Sequence, residues 1–411
     1  PYPAWSEHWQ TAMAQAPLPA PRRLQVPPPT AALPDAPVPS LEALGLRPDG
    51  KPLPPGGSAA ALARLEAFCQ GPASRRYYWE LSYPAARATS GLSPYLKFGV
   101  ISPRQCIQRL QTLLAGLSSG HDPQARSARQ LASRLRWGAA MHQRFRYLPQ
   151  LELRSLWSSY DAPEHSGGPD GLALPPLTAR AQELYERWQQ GCTGFPIVDA
   201  AARCLVAEGG WLELNFRSRA IYASFLANLC GIDWRWGALH FMRHLIDGDC
   251  PIDHYQWAMQ AGVTVRGSGA WTRIYHPGQV AVDRCDPQGE FIRRWLPELA
   301  ELTNDQLGQP PAMAAYPAPV LDYESARRQR QHTLNEQRLL IGDVQQAIAH
   351  LPEPWRCLPL LPAALPLDDL TAPQWRALLS WFTASREAAG RPLRRRRQRQ
   401  DPGQLSLDLG L

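Results

Sequence analysis

Apolar positions recur three and four residues apart along most of this chain, the period of an amphipathic helix. Leu62, Leu65 and Phe68 open the pattern. Ser102-Pro103 predicts a helix start, with a hydroxyl cap followed by proline at the first helical position. Ile107, Leu110 and Leu114 then share one face. After a polar break over 118–126 the pattern resumes across Leu131–Phe145. Pro196 begins a further helix that Gly209-Gly210 can end, and Ser218–Cys230 and Gly237–Asp247 complete the series. There is no alternating βαβ pattern and no internal repeat. Residues 59–335 therefore read as one all-α domain.

The flanks differ. Trp5–Met13 predicts one short helix, but 15 of the 42 prolines fall within Pro1–Pro55, so residues 1–58 read as a proline-rich linker. Residues 336–411 read as a helical and basic tail. It has a helix around Glu336–Leu351, a short one at Trp375–Ala388, the run Arg394-Arg-Arg-Arg-Gln-Arg399 and a disordered end.

Composition adds modest constraints. The net charge of +7 suits a nucleic-acid partner, but Arg394–Arg397 and Arg399 carry five of those charges. Any phosphate-binding face on the nearly neutral body must come from local clustering. The eight cysteines form no CxxC pair, which argues against a zinc or iron–sulfur site and fits buried thiols in a reducing cytosol. With no run of membrane-span length and no signal peptide, the expectation is a cytoplasmic protein with no membrane partner. The 15 tryptophans cluster late, at Trp234, Trp236, Trp257, Trp271 and Trp295, and core packing explains most such residues. No Gly-x-Gly-x-x-Gly follows a strand, and there is no P-loop, no His-Glu-x-x-His and no nucleophile elbow at Ser90-Gly-Leu-Ser-Pro94.

Three segments carry more specific chemistry. The first is Tyr77 with Thr89-Ser90-Gly91-Leu92-Ser93-Pro94-Tyr95-Leu96-Lys97-Phe98-Gly99 and Ser102-Pro103-Arg104. Two hydroxyls and free amides before a helix can hold a phosphate, though such runs more often only cap a helix. The second is Gly194-Phe-Pro-Ile-Val-Asp199 with Asn215-Phe-Arg217-Ser-Arg219. The third joins Ile232-Asp233-Trp234, Asp247-Gly-Asp249, Gln256-Trp257, Arg273-Ile-Tyr275-His-Pro277 and Phe291-Ile-Arg293-Arg-Trp295-Leu-Pro297-Glu298-Leu299.

In this order and spacing the three segments resemble the FAD-binding domain of photolyases and cryptochromes, from about residue 60 to the closing Tyr316-Pro-Ala-Pro319. The resemblance implies FAD bound in a helical pocket, and an antenna domain ahead of the linker. It implies that Tyr77, Thr89, Ser90, Gly91, Leu92 and Ser93 hold the pyrophosphate, and that Trp137 and Arg144 line the flavin side, with Asn215 in the same pocket. Arg219 would pair with Asp247 beside the ring, and Asp249 would contact its edge. Such a pair can stabilise negative charge on a reduced ring. Asp253 matches the position facing the flavin N5, where a carboxyl of raised pKa can deliver a proton. Trp257 and Trp234 match the inner and middle members of an electron-transfer chain. The outer member is missing at Leu177-Thr178, where Trp236 or Tyr185 could substitute.

The chain also departs from the family. Ala140, Gln143 and Met259 stand where cyclobutane-dimer enzymes hold lesion contacts, and Ala220 stands where they have a methionine. Phe216 and Ala220 stand where enzymes for the other ultraviolet lesion have histidines. Light-driven electron transfer to pyrimidine lesions in DNA is the first reading, by a monomer with a basic groove (Arg134, Arg136, Arg217, Arg266, Arg273). A cryptochrome-type photoreceptor is the second, and a domain without photochemistry the third. Finally, Gln404-Leu405-Ser406-Leu407-Asp408-Leu409 resembles the short peptide by which bacterial proteins dock on the sliding clamp, with an ordinary amphipathic tail as the alternative.

Overall fold

The computed structural model describes residues 2–19, 21–23, 37–147, 149–153, 155, 174, 176–264 and 273–348. Trp271, Arg266, the expected helix at 375–388, the arginine run and the segment 404–409 lie outside them. Among the described residues the regular structure is helical, with one isolated bridge between Met313 and Tyr316. No described helix is long and apolar enough to cross a membrane.

The helices are α1 (Tyr2–Ala14), α2 (Ser58–Gln70), α3 (Ala73–Glu80), α4 (Ser93–Lys97), α5 (Pro103–Ala115), α6 (Pro123–Tyr147) and α7 (Ala179–Gln190). They continue with α8 (Pro196–Glu208), α9 (Phe216–Ser224), α10 (Trp234–His244), α11 (Cys250–Ala261), α12 (Gln279–Cys285), α13 (Glu290–Trp295) and α14 (Tyr323–Ile348). The start of α5 follows the sequence closely: Ser102 and Gln105 form a reciprocal capping box, which satisfies two orphan backbone groups. Gly209 ends α8 in the left-handed region, as expected. Two expectations shift. The buried face of α2 is Ala61, Leu65, Phe68 and Cys69, while Leu62 is exposed, so the apolar stripe starts one residue earlier than read. The tail helix expected near 336 begins at Tyr323, so the boundary drawn after 335 falls inside α14.

Two buried clusters organise these helices. Ala61, Leu65, Phe68, Tyr77, Leu92, Cys106, Leu110 and Leu131 join α2, α3, α5 and the first half of α6. The larger cluster centres on α8, which is buried along most of its length and packs against α7, α9, α10 and α13. A smaller cluster, Met141, Leu151 and Tyr255, joins the second half of α6 to α11. The long α6 thus spans both halves.

Much of the recognisable sequence serves this packing. The buried Asp199 of α8 accepts from Thr193 N (2.8 Å), Thr193 Oγ1 (2.6 Å), Gly194 N (3.1 Å) and Tyr316 OH (2.5 Å). That arrangement ties residue 316 back to the centre. Buried Glu213 receives Arg87, Arg294 Nη1 (2.6 Å) and Trp295 Nε1 (3.1 Å), while Arg203 pairs with Glu298 at 2.7 Å. A buried carboxylate is tolerable only when so satisfied.

Candidate functional site

Where α6, α9 and α11 meet, the separate sequence segments come together. On one side, Tyr77 of α3 is buried edge-on against Phe68, with 5.7 Å between ring centroids, and burial pushes its phenol pKa up. The turn before α4 is held by Arg64, whose Nε donates to Ser90 O at 2.8 Å, and by Trp211 Nε1, which donates to Gly91 O at 3.2 Å. Gly91 has φ +66°, and a Cβ there would lie 2.6 Å from the Arg64 guanidinium, so the turn needs glycine. The Ser90 hydroxyl accepts weakly from Leu92 N at 3.4 Å, Leu92 is buried and Ser93 is exposed. Because α4 has only five residues, its dipole is small. Any grip on phosphate here comes from hydroxyls and individual amides.

On the other side, α11 presents Asp249, Asp253 and Trp257 one turn apart. Asp249 caps α11 (Ile252 N, 3.3 Å), meets His142 Nε2 at 2.8 Å and lies 3.7 Å from Lys97 Nζ. Burial alone would raise the Asp249 carboxyl, but His142 and Lys97 outweigh it and hold the pKa low. Lys97 ends α4, so this contact links the turn at 89–93 to α11. Asn215 caps α9 through Oδ1, and Arg219 Nε donates to Leu214 O at 2.7 Å. Arg219 Nη2 lies 3.4 and 3.5 Å from the two Asp247 oxygens. With Arg219 30% exposed against 8% for Asp247, the pair is only partly buried. On α6, Trp137 meets Phe216 edge-on at 6.4 Å, and the Arg144 guanidinium lies 4.3 Å from the Tyr255 ring centre.

Asp253 is buried, and burial pushes its pKa up to about 6 against the opposing pull of His254 and Arg219. His254 Nδ1 lies 3.4 Å from Asp253 Oδ2. Burial works against a charged His254, yet Asp253 prevails and its pKa stands at about 9. Trp257 is buried with its ring edge-on to Trp188 (6.1 Å) and Phe241 (4.9 Å), and Gly237 leaves the room that its indole fills. Trp234 is buried too, but its ring meets His254 at 5.9 Å and its Nε1 donates to Ser155 Oγ at 2.9 Å.

The family described as the FAD binding domain of DNA photolyase matches residues 131–336. The deoxyribodipyrimidine photo-lyase of Synechococcus is 33% identical over 83% of this chain and 68% of its own length. This chain belongs to the photolyase family. The Escherichia coli photo-lyase is 35% identical over 66% of the chain and 54% of its own length. A cryptochrome structure from Synechocystis superposes with a TM-score of 0.59 at 26% identity, covering 72% of this chain and 60% of that one. A bacterial class III photolyase from Agrobacterium tumefaciens gives 0.56 at 28%, covering 68% and 56%. Against most of these relatives the chain spans little more than half their length.

The family's cofactor is FAD, and the residues present fit it. Thr89 Oγ1, Asn215 Nδ2, Arg217 Nε and Trp257 Nε1 are buried without a hydrogen-bond partner in the protein. Buried polar atoms are rarely left so, because each unsatisfied one costs about 1–3 kcal/mol. Two of them, at Thr89 and Asn215, stand where the resemblance implies cofactor contacts, and a phosphate-bearing, nitrogen-rich ligand has complementary groups. His142, His254, Tyr255 and Trp188 were not singled out from sequence. Helical spacing on α11 marks His254 and Tyr255 only as neighbours of Asp253, and nothing local marks His142 or Trp188.

Proposed function

We propose that this photolyase-family domain uses blue light to drive electron transfer from reduced FAD to pyrimidine lesions in DNA. The observation that supports the reading is the pair of buried polar atoms without a protein partner at Thr89 and Asn215, positions where the resemblance implies cofactor contact. Bound there, FAD supplies light absorption and one-electron chemistry. Thr89, Ser90, Gly91, Leu92 and Ser93, with Tyr77 beneath, hold its phosphates. Arg219 and Asp247 balance charge at the ring, and Asn215, Trp137 and Arg144 shape the pocket around it. Asp249, already engaged by His142 and Lys97, fixes the start of α11 and lies along the ring edge. The buried Asp253–His254 pair holds one proton close to the ring near neutrality, because burial lifts the Asp253 carboxyl to about 6 while the aspartate in turn raises His254. Trp257 donates electrons that restore the reduced state. Arg134, Arg136, Arg217 and Arg273 supply the attraction for DNA phosphates.

A second reading, a cryptochrome-type photoreceptor, is favoured by one feature. Ala140 and Gln143 on α6 and Met259 on α11 stand where a dimer-repair pocket requires a carboxyl and indoles. One experiment separates the two. Purified yellow protein is illuminated with a thymine-dimer oligonucleotide and reductant, with flavin absorbance followed throughout. Light-dependent loss of the dimer supports repair. Photoreduction without loss of the dimer supports the photoreceptor, and protein that purifies without flavin overturns both.

A further inference from the structure

Trp188 lies outside the segments singled out above, yet among the described residues it links several aromatic rings. It lies on α7, fully buried, with its ring edge-on to Trp257 at 6.1 Å. Its other face stacks on Tyr222 at 4.1 Å and 11° between planes. Two reciprocal bonds fix that stack: Trp188 Nε1 donates to Tyr222 O (3.1 Å) and Tyr222 OH donates to Trp188 O (3.2 Å). Tyr185, three residues earlier on α7, stacks on Trp188 at 5.8 Å and 18°. Tyr185 then meets Trp236 edge-on at 5.3 Å, and its hydroxyl donates to Trp236 O at 3.1 Å. Trp236 sits in the first turn of α10 and is only partly buried. A continuous series of ring contacts therefore runs from Trp257 to solvent.

We propose that Trp257 is re-reduced along this branch, through Trp188 and across Tyr185 to Trp236, and that Trp236 is the outer electron donor that Leu177-Thr178 cannot provide. The inference rests on the flavin reading above and extends it to residues outside the family's motifs. After Trp257 gives up one electron, the electron vacancy moves to Trp188 and then to Trp236, with no bond made or broken. At Trp236 an added thiolate supplies the electron and becomes a thiyl radical.

The surroundings favour this branch over Trp234. Trp188 touches His240, with ring centroids 5.0 Å apart, and burial keeps that imidazole neutral by pushing its pKa down to about 3. Stacked phenols on Trp188 stabilise a positive indole through their negative faces. Trp234 instead faces His254, which Asp253 keeps protonated, so a positive charge on that indole is opposed. Tyr185 acts as a bridge and does not hold the radical. Its phenol donates to a backbone carbonyl, which is no base, and burial raises its pKa to about 12.

The test uses full-length, flavin-loaded protein with dithiothreitol. It reads transient absorption of the tryptophan radical after a blue flash and, without thiol, mass-spectrometric oxygen addition at Trp236. Trp236→Phe and Trp188→Phe should each lose the long-lived radical, Trp188→Phe should leave Trp236 unmodified, and Trp234→Phe should keep both signals. Trp236→Phe alters a partly exposed ring and tests the branch even if Trp188→Phe fails to fold. Loss of the radical in Trp234→Phe with its retention in Trp236→Phe overturns the branch while leaving the flavin reading intact. Wild-type photoreduction in Trp257→Phe, or protein that binds no flavin, overturns the reading and the branch together.

Discussion

Replacing Asp253 by asparagine should abolish the share of alkaline destabilisation that comes from the buried pair, and the sign follows from the pair itself. In the folded protein His254 has its pKa raised to about 9 from 6.5, because Asp253 at 3.4 Å, with help from Cys250, outweighs the cost of burial. A histidine raised in this way contributes stability that is fully present below pH 6.5 and is lost as pH climbs through 9. At 1.36 kcal/mol per unit the loss from this group is about 3 kcal/mol over that window. In Asp253→Asn the carboxylate is gone and burial, the largest single influence, is opposed only by Cys250, so the imidazole pKa should drop below 6.5. The group then contributes nothing to the pH dependence between 6.5 and 9. Below 6.5 the variant gains stability as pH rises, because the folded state resists protonation. Urea denaturation at pH 5, 6.5 and 9 measures all of this. The other titrating groups are common to both proteins, so the difference between their pH slopes isolates the pair. An NMR titration of the His254 ring reads the same change directly. Parallel stability profiles, or a His254 that titrates unchanged in the variant, would refute the coupling.

Three further outcomes are expected. Gly237→Ala places a methyl group inside the volume of the Trp257 indole. It should cost about 1–3 kcal/mol, read as a lower melting temperature, and should impair photoreduction by displacing the ring. Asp247→Ala should cost about 1–2 kcal/mol in urea denaturation, below the 3–5 kcal/mol typical of a fully buried pair, because Arg219 is 30% exposed. Flavin absorbance should fall with it, and a variant with full colour and unchanged stability would remove the pair from the site. The peptide 401–411 should bind a purified bacterial sliding clamp, with Gln404→Ala and Leu407→Ala abolishing the interaction; no binding at saturating peptide removes clamp docking.

The helical class, the start of α5, the end of α8 and the family were legible because each rests on local chemistry. Helical spacing, a capping box and a left-handed glycine are properties of neighbouring residues. The motif at 194–199 also works through local geometry, since Asp199 caps the amides of Thr193 and Gly194 just before it. The turn at 89–93 and the segment 291–299 are instead held by distant Arg64, Trp211 and Glu213. Asp253 was legible as a candidate proton donor, and its burial gives that reading a physical basis. What sequence could not supply was the partner of each side chain. The stripe of α2 shifted by one residue because periodicity shows that a buried face exists, whereas the opposing helices decide its centre. Asp249 meets His142 and Lys97 across gaps of 107 and 152 positions, which no local spacing can signal. Trp257 and Trp234 are both buried but have different ring neighbours, Trp188 for the first and His254 for the second. Sequence alone thus determined which chemistry the chain carries, since residue type and local backbone preference are written into each segment. Only the tertiary structure decided which charges are buried together and which rings touch, because burial and contact depend on how α6, α7, α10 and α11 pack.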